Sequence, residues 1–206
     1  MIDSGIAAVI LAAGLSKRMG ELKPLLTVGK QPAIMRCIST VKAAGVRAIV
    51  VVTGHRHEEI ENLLGTEAPG RDVSIAYNAG YHDGMFSSVR TGVSALPAYA
   101  GGFFLLPADC CAILPSTFIA LAEGYIKNGC ASVAHPKYDG RRGHPPLIPA
   151  LYKDQILGYN GENGLKGALS QLLSVDVDTD DPGILLDMDT PEDYAALLKH
   201  LAILRY

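Results

Sequence analysis

Short apolar runs alternate with stretches of helical periodicity along this chain, and this alternation limits the folds that it can adopt. The clearest runs are Ile6 to Leu11, Ala48 to Thr53 and Phe103 to Pro107. Continuous apolar runs of this length predict strands that are buried on both faces, as in a parallel sheet between helices. Strands and helices in alternation are connected by right-handed crossovers. We therefore expect an α/β fold of three layers, Rossmann-like, with a mostly parallel sheet.

The other predicted elements continue the same pattern. Further strands are expected at Val73 to Tyr77, Ala131 to His135, Ser174 to Val177 and Ile184 to Asp187. Helices are expected at Gln31 to Ala44, Arg56 to Leu64, Phe86 to Leu96, Ser116 to Asn128, Asn163 to Leu173 and Pro191 to Leu204. Thr190 is the expected N-cap of the last helix, with Pro191 at its first position. The polar segment from Lys137 to His144 is expected to be a loop.

Composition and charge argue against several functional classes. With 206 residues, 49% of them apolar, the chain suits one domain, 1–206, with a large core. A formal net charge of −3 without a polybasic run disfavours nucleic-acid binding. No apolar stretch reaches the length of a membrane span, and the start lacks the basic region of a signal peptide, so we interpret it as leading into the first strand. The four cysteines form no CxxC pair, which favours reduced thiols in a cytoplasmic protein.

The segment after the first strand is the first candidate site, because ligands of such sheets bind beyond the carboxyl ends of the strands. It reads LAAGLSKRMGELKPLL, from Leu11 to Leu26. The small residues Ala12 to Gly14 let a ligand approach the backbone, whose N–H groups can form an anion-binding concavity. Lys17, Arg18 and Lys23 add positive charge suited to phosphate. A solvated turn with ordinary surface lysines is the alternative interpretation.

Neither of the two common nucleotide-binding motifs is present in this segment. A P-loop needs GxxxxGK[ST], whereas Gly14 and Gly20 are separated by five residues and no Lys-Ser/Thr pair follows. The GxGxxG dinucleotide fingerprint is also missing, which argues against an NAD-type oxidoreductase. We therefore expect a phosphate-binding loop of a different kind.

Acidic residues occur at two later positions of interest. Asp109 lies just past the carboxyl end of the strand FFLLP, at the expected ligand edge, where a carboxylate and substrate phosphates can together hold Mg²⁺. A cap of the helix near Pro115 is the alternative, although Asp109 lies several residues too early for it. The segment LLDMDTPEDY contains Asp187 and Asp189, which share a face if the strand continues. One of them is expected to bind metal and the other to support it.

Two further segments read as loops from their residues alone. In NAGYHDGMFSSVRTG, Asn78 follows a strand, and Ser87 and Ser88 are candidate caps of the next helix. In RRGHPP, His144 lies in a stiff loop, and the two arginines before it can attract a phosphate-bearing ligand. A lone histidine is more often structural, so a binding role for His144 remains one of two interpretations.

Together these segments resemble the MobA-like nucleotidyltransferases, and within them most closely the MocA-like molybdenum cofactor cytidylyltransferases. LAAGLSKRMGELK matches the signature LAAGxSxRMGxxK, whose loop wraps the nucleoside triphosphate while the Arg and the last Lys contact its phosphates. A second pattern, N-x5-G-[ML]-x-[ST]-S, lines the nucleoside pocket of the family. The resemblance implies nucleotide binding by Leu11, Ala12, Ala13, Gly14, Ser16, Arg18, Met19, Gly20, Lys23, Asn78, Gly84, Ser88 and Asp109. It implies catalytic roles for Lys23, Arg18 and Asp109.

The resemblance also implies a site for Mg²⁺ or Mn²⁺. The family closes with D-[IM]-D-T-P-[ED]-D, and in related enzymes the Asp before Thr-Pro is a metal ligand, which favours Asp189 over Asp187. Asp109 is the other implied ligand. Cys110 and Cys111 stand where the family commonly has Gln-Pro or Met-Pro, which leaves the local turn and the fit of the acceptor open.

The implied activity is transfer of CMP from CTP to molybdenum cofactor, with release of pyrophosphate. The N-terminal half would bind the nucleotide, and the C-terminal half the acceptor, where the GHP motif places His144 and neighbouring Arg142. The GTP-using branch typically has Gly-Gly at Ala13-Gly14, and the extra methyl group favours the smaller pyrimidine ring. The resemblance further implies transient contact with a molybdoenzyme or its chaperone. The alternatives are another small-molecule-phosphate nucleotidyltransferase, above all for sugar phosphates, and a nucleotide-binding regulatory module without catalysis.

Overall fold

The computed structural model describes residues 5–68 and 70–203. Its strands in these ranges are β1 (Ile6–Leu11), β2 (Thr27–Val28), β3 (Gln31–Pro32), β4 (Ala48–Thr53), β5 (Val73–Tyr77), β6 (Gly102–Pro107), β7 (Val133–Tyr138), β8 (Arg141–Arg142), β9 (Leu147–Pro149) and β10 (Ser174–Asp178). Its helices there are α1 (Ala33–Ala43), α2 (His57–Glu67), α3 (Met85–Ser94), α4 (Pro115–Lys127), α5 (Lys153–Gly158), α6 (Gly164–Ser170) and α7 (Pro191–Ile203).

The described residues form one main sheet of eight strands. Its order is β10-β7-β9-β6-β1-β4-β5, with β8 paired to β7, while β2 and β3 pair separately. The pairs β1–β4, β1–β6, β4–β5 and β7–β10 are parallel, whereas β9 is antiparallel to both β6 and β7, and β8 is antiparallel to β7. The expected mostly parallel α/β sheet is therefore confirmed.

Helices cover both faces of this sheet, as the fully apolar strands predicted. In β1, Ala8 and Ile10 face the core beneath α1, α2, α4 and α7. Their neighbours Ala7 and Val9 face a second core beneath α3, α5 and α6. Since side chains alternate along a strand, one six-residue run supplies both cores. None of the helices in the described residues is long and apolar enough to cross a membrane.

Helix α3 lies unusually close to the sheet because Gly92 has no side chain. A Cβ atom at this position would lie 2.3 Å from Val9 Cγ1 and 2.9 Å from Val52 Cγ2. The close approach packs α3 directly against β1 and β4. This places α3 beside the region where ligands of parallel sheets bind.

Two predicted segments prove wrong. Ile184 to Asp187 is not a strand, because Pro182–Leu185 forms a 3₁₀ helix that begins with a proline lacking a backbone N–H. Buried Asp181 caps it by accepting the N–H of Gly183 at 2.9 Å. The segment from Lys137 to His144 is not entirely a loop, since β7 extends to Tyr138 and pairs with β8 in a hairpin.

Other differences concern boundaries and missed elements. Helix α1 begins at Ala33, because Gln31 and Pro32 pair with β2 instead. Helix α2 runs through Gly65, where it was expected to end. Strand β9 and helix α5 were not predicted. The predicted final residue of the last helix, Leu204, lies outside the described residues, as does the start of the chain before residue 5.

Candidate active site

A cleft of about 320 Å³ opens beyond the carboxyl ends of β1 and β6. Strand β1 lies between β4 on one side and β6 on the other, so the chain connections leave in opposite directions at this point. Such a topological switch point creates the crevice in which open α/β sheets bind ligands. The end of β1 contributes Leu11 to Gly14, and the end of β6 contributes Pro107 to Asp109.

Backbone hydrogen bonds fix the small-residue turn after β1. Ala12 donates its N–H to Val52 O at 2.8 Å, and Ala13 O accepts from the N–H of His55 at 3.2 Å. A Cβ atom at Gly54 would lie 2.7 Å from Ala13 Cβ, so glycine is required for this close approach. The turn is therefore held in place by the end of β4 and the residues that follow it, and Ala13 lines the cleft.

The basic loop folds back onto itself before Lys23. Ser16 has a φ of +50° and Gly20 a φ of +70°, both in the left-handed region. The Ser16 hydroxyl accepts the N–H of Lys23 at 3.0 Å. Lys23 then starts the short 3₁₀ turn Lys23–Leu25, whose second residue is Pro24. This arrangement returns the lysine side chain to the cleft, although it lies twelve residues after the end of β1.

Lys23 lies between two carboxylates from distant parts of the chain. Its Nζ donates to Asp109 Oδ2 at 3.0 Å and to Asp189 Oδ1 at 2.5 Å. Arg18 donates to the other oxygen of Asp189 at 2.6 Å. The lysine side chain is only 13% exposed, whereas that of Arg18 is 66% exposed, so Lys23 forms the buried centre of the cluster and Arg18 its solvent-facing rim.

The electrostatic consequences follow from these contacts. Burial alone would lower the pKa of Lys23, but the hydrogen bonds and negative charges of Asp189 and Asp109 outweigh it and raise that pKa above its ordinary 10.5. The hydrogen bond from Lys23, with that from Arg18, lowers the pKa of Asp189 against the opposing effect of burial. Burial and the charges of Asp189 and Asp109 raise the pKa of Asp187. At neutral pH the cluster therefore holds a charged lysine against a charged Asp189.

Asp109 and Asp189 are suitably placed for a divalent cation. Each has an oxygen in contact with the same ammonium nitrogen, so one positive centre already lies between them. Mg²⁺ commonly binds through one or two carboxylates, with substrate phosphates and water completing its shell. Asp187 does not extend the pair to a set of three, because the described residues contain no group of three or more His, Cys, Asp or Glu arranged as a metal site.

The cysteines after Asp109 belong to the protein interior. Cys110 and Cys111 are both buried, and burial is the main cause that raises their thiol pKa values, that of Cys111 to about 12. The Cys110 Sγ donates to Asp109 Oδ1 at 3.8 Å. Arg36 donates from Nε to Cys111 O at 2.9 Å. These contacts anchor the turn and orient the carboxylate, while the protonated thiols are poor nucleophiles.

The segment before α3 forms the opposite wall of the cleft. Asn78 is buried and donates to Ser87 Oγ at 2.8 Å and Ser88 Oγ at 3.0 Å. Neither serine caps the helix, since α3 begins at Met85 after Gly84. Gly84 and Ser88 line the cleft, whereas Asn78 supports the wall from behind.

Most of the residues predicted to bind nucleotide meet in this cleft. Those that line it are Leu11, Ala12, Ala13, Gly14, Ser16, Lys23, Gly84, Ser88 and Asp109. Arg18, Met19, Gly20 and Asn78 do not line it. Tyr81 and His82 do, with ring centroids 4.0 Å apart, and sequence reasoning missed both. Two aromatic rings inside a motif already assigned to the nucleoside pocket were the available signal.

A second and larger cavity, of about 890 Å³, adjoins the first. Leu11, Met85 and Pro107 line both cavities, so the two share a wall. Both predicted acceptor residues, Arg142 and His144, line the second cavity. The structure therefore places most of the predicted nucleotide residues in one compartment and both predicted acceptor residues in its neighbour.

The loop that carries these two residues is fixed by its backbone. His144 donates its N–H to Ile184 O at 2.9 Å, and a Cβ atom at Gly143 would lie only 2.2 Å from that same oxygen. The His144 Nδ1 is buried, with no hydrogen-bond partner among the described residues, and burial lowers the pKa of this imidazole. Arg142 donates from Nε to Asp176 Oδ1 at 2.6 Å. Thus His144 is neutral at pH 7, and Arg142 is held in an ion pair.

The chain is similar to known proteins along most of its length. The MobA-like NTP transferase domain model matches residues 8–177. The chain is 27% identical over 191 residues to the molybdenum cofactor cytidylyltransferase of Escherichia coli, a match that covers 93% of this chain and 94% of that protein.

Solved structures share the fold. A homologue of Mycobacterium tuberculosis rv0371c, from Mycobacterium sp. strain JC1, is similar with a TM-score of 0.83 and 25% identity, covering 98% of this chain and 100% of the other. A nucleotidyl transferase from Methanothermobacter thermautotroptrophicus has a TM-score of 0.81 and 24% identity, with the same coverage.

Proposed function

The chain belongs to the MobA-like NTP transferase family, and from this premise we propose that it transfers CMP from CTP to molybdenum cofactor and releases pyrophosphate. The observation that carries the proposal is the cluster in which Lys23 contacts Asp109 and Asp189 at the floor of a cleft beside a larger cavity. The resemblance to the E. coli cytidylyltransferase supports the choice of donor and acceptor. We assign the smaller cleft to the nucleotide and the larger cavity to the acceptor.

The turn after β1 supports CTP as the donor. Ala13 lines the cleft, and a Cβ atom added at Gly54 would lie 2.7 Å from the Ala13 Cβ, so the backbone of Gly54 leaves the Ala13 methyl group little room to retreat from a larger base. A purine that occupied this position would meet the methyl group. One such steric contact changes specificity by about 1–3 kcal/mol, so a preference for CTP is expected rather than complete exclusion of GTP.

The reaction needs little covalent help from the protein. An oxygen of the acceptor phosphate attacks the α-phosphorus of CTP, the bond from that phosphorus to the bridging oxygen breaks, and pyrophosphate leaves with the electron pair. CMP is thereby joined to the acceptor through a diphosphate. Because the acceptor phosphate is already ionised at neutral pH, no general base is required, which agrees with the high pKa values of Cys110 and Cys111.

The positive groups of the cleft stabilise the charge that develops. Lys23 lies partly buried at the cleft, where it contacts Asp109 and Asp189, and with a triphosphate bound it can contact the α-phosphate or the leaving oxygens. Arg18, at the rim, reaches the outer phosphates as a mobile contact. The backbone N–H groups of the Gly14 to Arg18 loop add partial positive charge without reorganisation.

Mg²⁺ or Mn²⁺ is the proposed cofactor, and Asp109 and Asp189 are the residues that would hold it. Bound there, the ion would neutralise charge on the phosphates and orient them. Asp187 would support the site by its charge but not ligate the ion, since the described residues contain no set of three acidic, His or Cys side chains arranged to bind a metal.

Competition between CTP and GTP at equal concentration, with molybdenum cofactor as acceptor and Mg²⁺ present, tests the proposal. We expect the CMP adduct to dominate among the products resolved by mass spectrometry. Dominant GMP transfer would refute the pyrimidine preference. Transfer to a sugar phosphate but not to molybdenum cofactor, from any NTP, would instead place the chain among the sugar-phosphate nucleotidyltransferases.

A further inference from the structure

Asp181 is a buried carboxylate that lies outside both cavities and joins two segments of the chain. The residue is only 2% exposed. Its Oδ2 accepts the N–H of Leu114 at 2.8 Å and the hydroxyl of Thr117 at 2.6 Å. Its Oδ1 accepts the N–H of Gly183 at 2.9 Å. The carboxylate therefore connects the start of α4 to the 3₁₀ turn Pro182–Leu185.

The first of these segments carries Asp109. Leu114 is the N-cap residue of α4 but its side chain forms no capping hydrogen bond, so Asp181 supplies the acceptor from a distant part of the chain. The residues between Asp109 and Leu114, 110–113, are each at most 3% exposed. Arg36 holds this stretch by donating from Nε to Cys111 O at 2.9 Å. Because the stretch is packed into the core, a displacement of Leu114 is passed on to Asp109 rather than absorbed by a loop.

The second segment leads to Asp189 and supports the loop of His144. Ile184, inside the 3₁₀ turn, accepts the N–H of His144 on its carbonyl oxygen at 2.9 Å. After the turn, the chain passes through Met188, which is fully buried, to Asp189 at the cleft. The position of the turn thus determines where both His144 and Asp189 lie.

The two segments are in direct backbone contact beside Asp181. A Cβ atom at Gly183 would lie 2.4 Å from Ala112 O, so glycine is required for this approach. Without the carboxylate, the N–H groups of Leu114 and Gly183 would lose their acceptor in the protein interior. An unsatisfied buried N–H costs free energy, so we expect the segments to move apart when the bridge is lost.

We propose that Asp181 is a positioning residue for nucleotidyl transfer, which joins these two segments and thereby fixes Asp189 and His144 relative to Asp109. The inference rests on the proposed function, in which Asp109 and Asp189 hold the divalent ion. Asp181 contacts neither the nucleotide cleft nor the acceptor cavity and acts only through the residues that do. A displacement of about 1 Å in a reacting group can lower the rate by about 10²-fold, so the separation of these side chains matters for catalysis.

Replacement of Asp181 by asparagine breaks the bridge with little change in size. In either orientation of the new amide, its NH₂ group faces one of the two backbone N–H groups, so one segment is released. We expect the affinity for Mn²⁺ with a non-hydrolysable CTP analogue, measured by electron paramagnetic resonance, to fall by about 10- to 100-fold. At saturating Mg²⁺ and CTP, kcat should fall by about 10²-fold.

Thr117→Val is the matched control for Asp181→Asn. It removes one hydrogen bond to the same carboxylate but leaves both backbone bonds of the bridge. Both variants should unfold at a lower urea concentration than wild type, but only Asp181→Asn should lose Mn²⁺ affinity and kcat. Trimethylamine N-oxide, which favours the folded state, should raise the urea midpoint of Asp181→Asn but not its kcat relative to wild type in the same solution. A residue that only stabilises the fold would recover both.

Four outcomes would overturn the inference. These are wild-type Mn²⁺ affinity and kcat in Asp181→Asn, equal losses in Thr117→Val, recovery of kcat in the osmolyte, and an Asp181→Asn protein that stays unfolded there, since Asp181 would then maintain the fold rather than the site. Failure of the proposed function is distinguishable. If wild type binds Mn²⁺ but transfers no CMP to molybdenum cofactor, the reaction is wrong, and the Mn²⁺ affinity of the variant still decides the role of Asp181. If wild type binds no Mn²⁺ with the analogue, the metal site and this inference are both wrong.

Discussion

Replacement of Lys23 by methionine should separate its effect on catalysis from its effect on stability. The side chain keeps its length and apolar stem but loses the charge that contacts Asp109 at 3.0 Å and Asp189 at 2.5 Å. Loss of one preorganised electrostatic contact to a transition state lowers kcat by about 10² to 10³. We therefore expect pyrophosphate release at saturating CTP to fall by that factor, with the fold retained.

The loss of stability should be smaller, and its size follows from burial. Lys23 is 13% exposed, Asp109 19% and Asp189 35%, so the ion pairs lie between the exposed and the fully buried limit. Exposed pairs contribute about 0–1 kcal/mol, and breaking a buried pair costs about 3–5 kcal/mol. For Lys23→Met we expect the free energy of unfolding to fall by about 1–3 kcal/mol at pH 7, measured by urea denaturation.

The pH dependence of this difference has a defined sign. Folding lowers the pKa of Asp189, so its contribution is present above the ordinary 3.8 and is lost as the pH falls through the lowered value. Folding raises the pKa of Lys23, so its contribution is complete below the ordinary 10.5 and is lost as the pH rises through the raised value. The stability difference between the variant and wild type should thus be constant between these limits and shrink in acid.

Lys17→Met provides the control for Lys23→Met. Lys17 lies in the same loop but is exposed and forms no ion pair in the described part of the chain, so the variant should be fully active. Wild-type turnover by Lys23→Met at saturating CTP would remove Lys23 from the mechanism. An unfolding difference that persists in strong acid would show that packing, not charge, causes the loss of stability.

Three further perturbations test other parts of the structure. Excess chelator should abolish activity, and full activity in chelator would refute the metal site. Asp109→Asn should reduce kcat more than Asp189→Asn, because the Asp109 carboxylate is the less exposed of the two. Gly92→Ala should destabilise the fold by about 1–3 kcal/mol through overlap with β1, whereas Gly65→Ala, in open space on α2, should be neutral or stabilising in the same urea titration. Gly54→Ala should raise KM for CTP, because the new methyl group would lie 2.7 Å from Ala13 Cβ and 2.8 Å from Tyr81 Cβ and must displace one of these two cleft residues; an unchanged KM would show that this turn does not shape the nucleotide cleft.

The nucleotide cleft could be predicted from sequence because its determinants are local. A buried strand must end in an exposed turn, and LAAGLSKRMGELK contains both the end of β1 and the loop that returns Lys23 to the cleft. Asp109 was predictable for the same reason, since it lies two residues beyond the end of β6. Positions at the carboxyl ends of apolar strands are fixed by the class of fold alone.

The acceptor side was less predictable because tertiary packing decides it. Strand β9 has only three residues and inserts antiparallel between β6 and β7, which no periodicity indicates. Asp187 and Asp189 were expected to share a strand face, but the 3₁₀ turn Pro182–Leu185 precedes them and the alternation of a strand does not apply. Lys166, on α6, lines the larger cavity because that helix packs beside it, and the spacing of residues in the sequence does not indicate this position.

The contacts of Lys23 also have a consequence for metal binding. Its ammonium lies between the oxygens of Asp109 and Asp189 to which a divalent ion would bind, so lysine and metal compete for the same carboxylates. With Arg18 included, the formal charges of the two cations and two carboxylates cancel, so these four side chains together offer a divalent ion little net attraction. A triphosphate changes this balance, since it supplies further oxygen ligands for the ion and new anionic partners for Lys23 and Arg18. We therefore expect Mn²⁺ to bind weakly to the free protein and at least tenfold more tightly in the presence of a non-hydrolysable CTP analogue. Lys23→Met should strengthen Mn²⁺ binding to the free protein. Electron paramagnetic resonance measures the bound ion in each case. Equal Mn²⁺ affinity with and without the analogue, unaltered by the substitution, would contradict the competition.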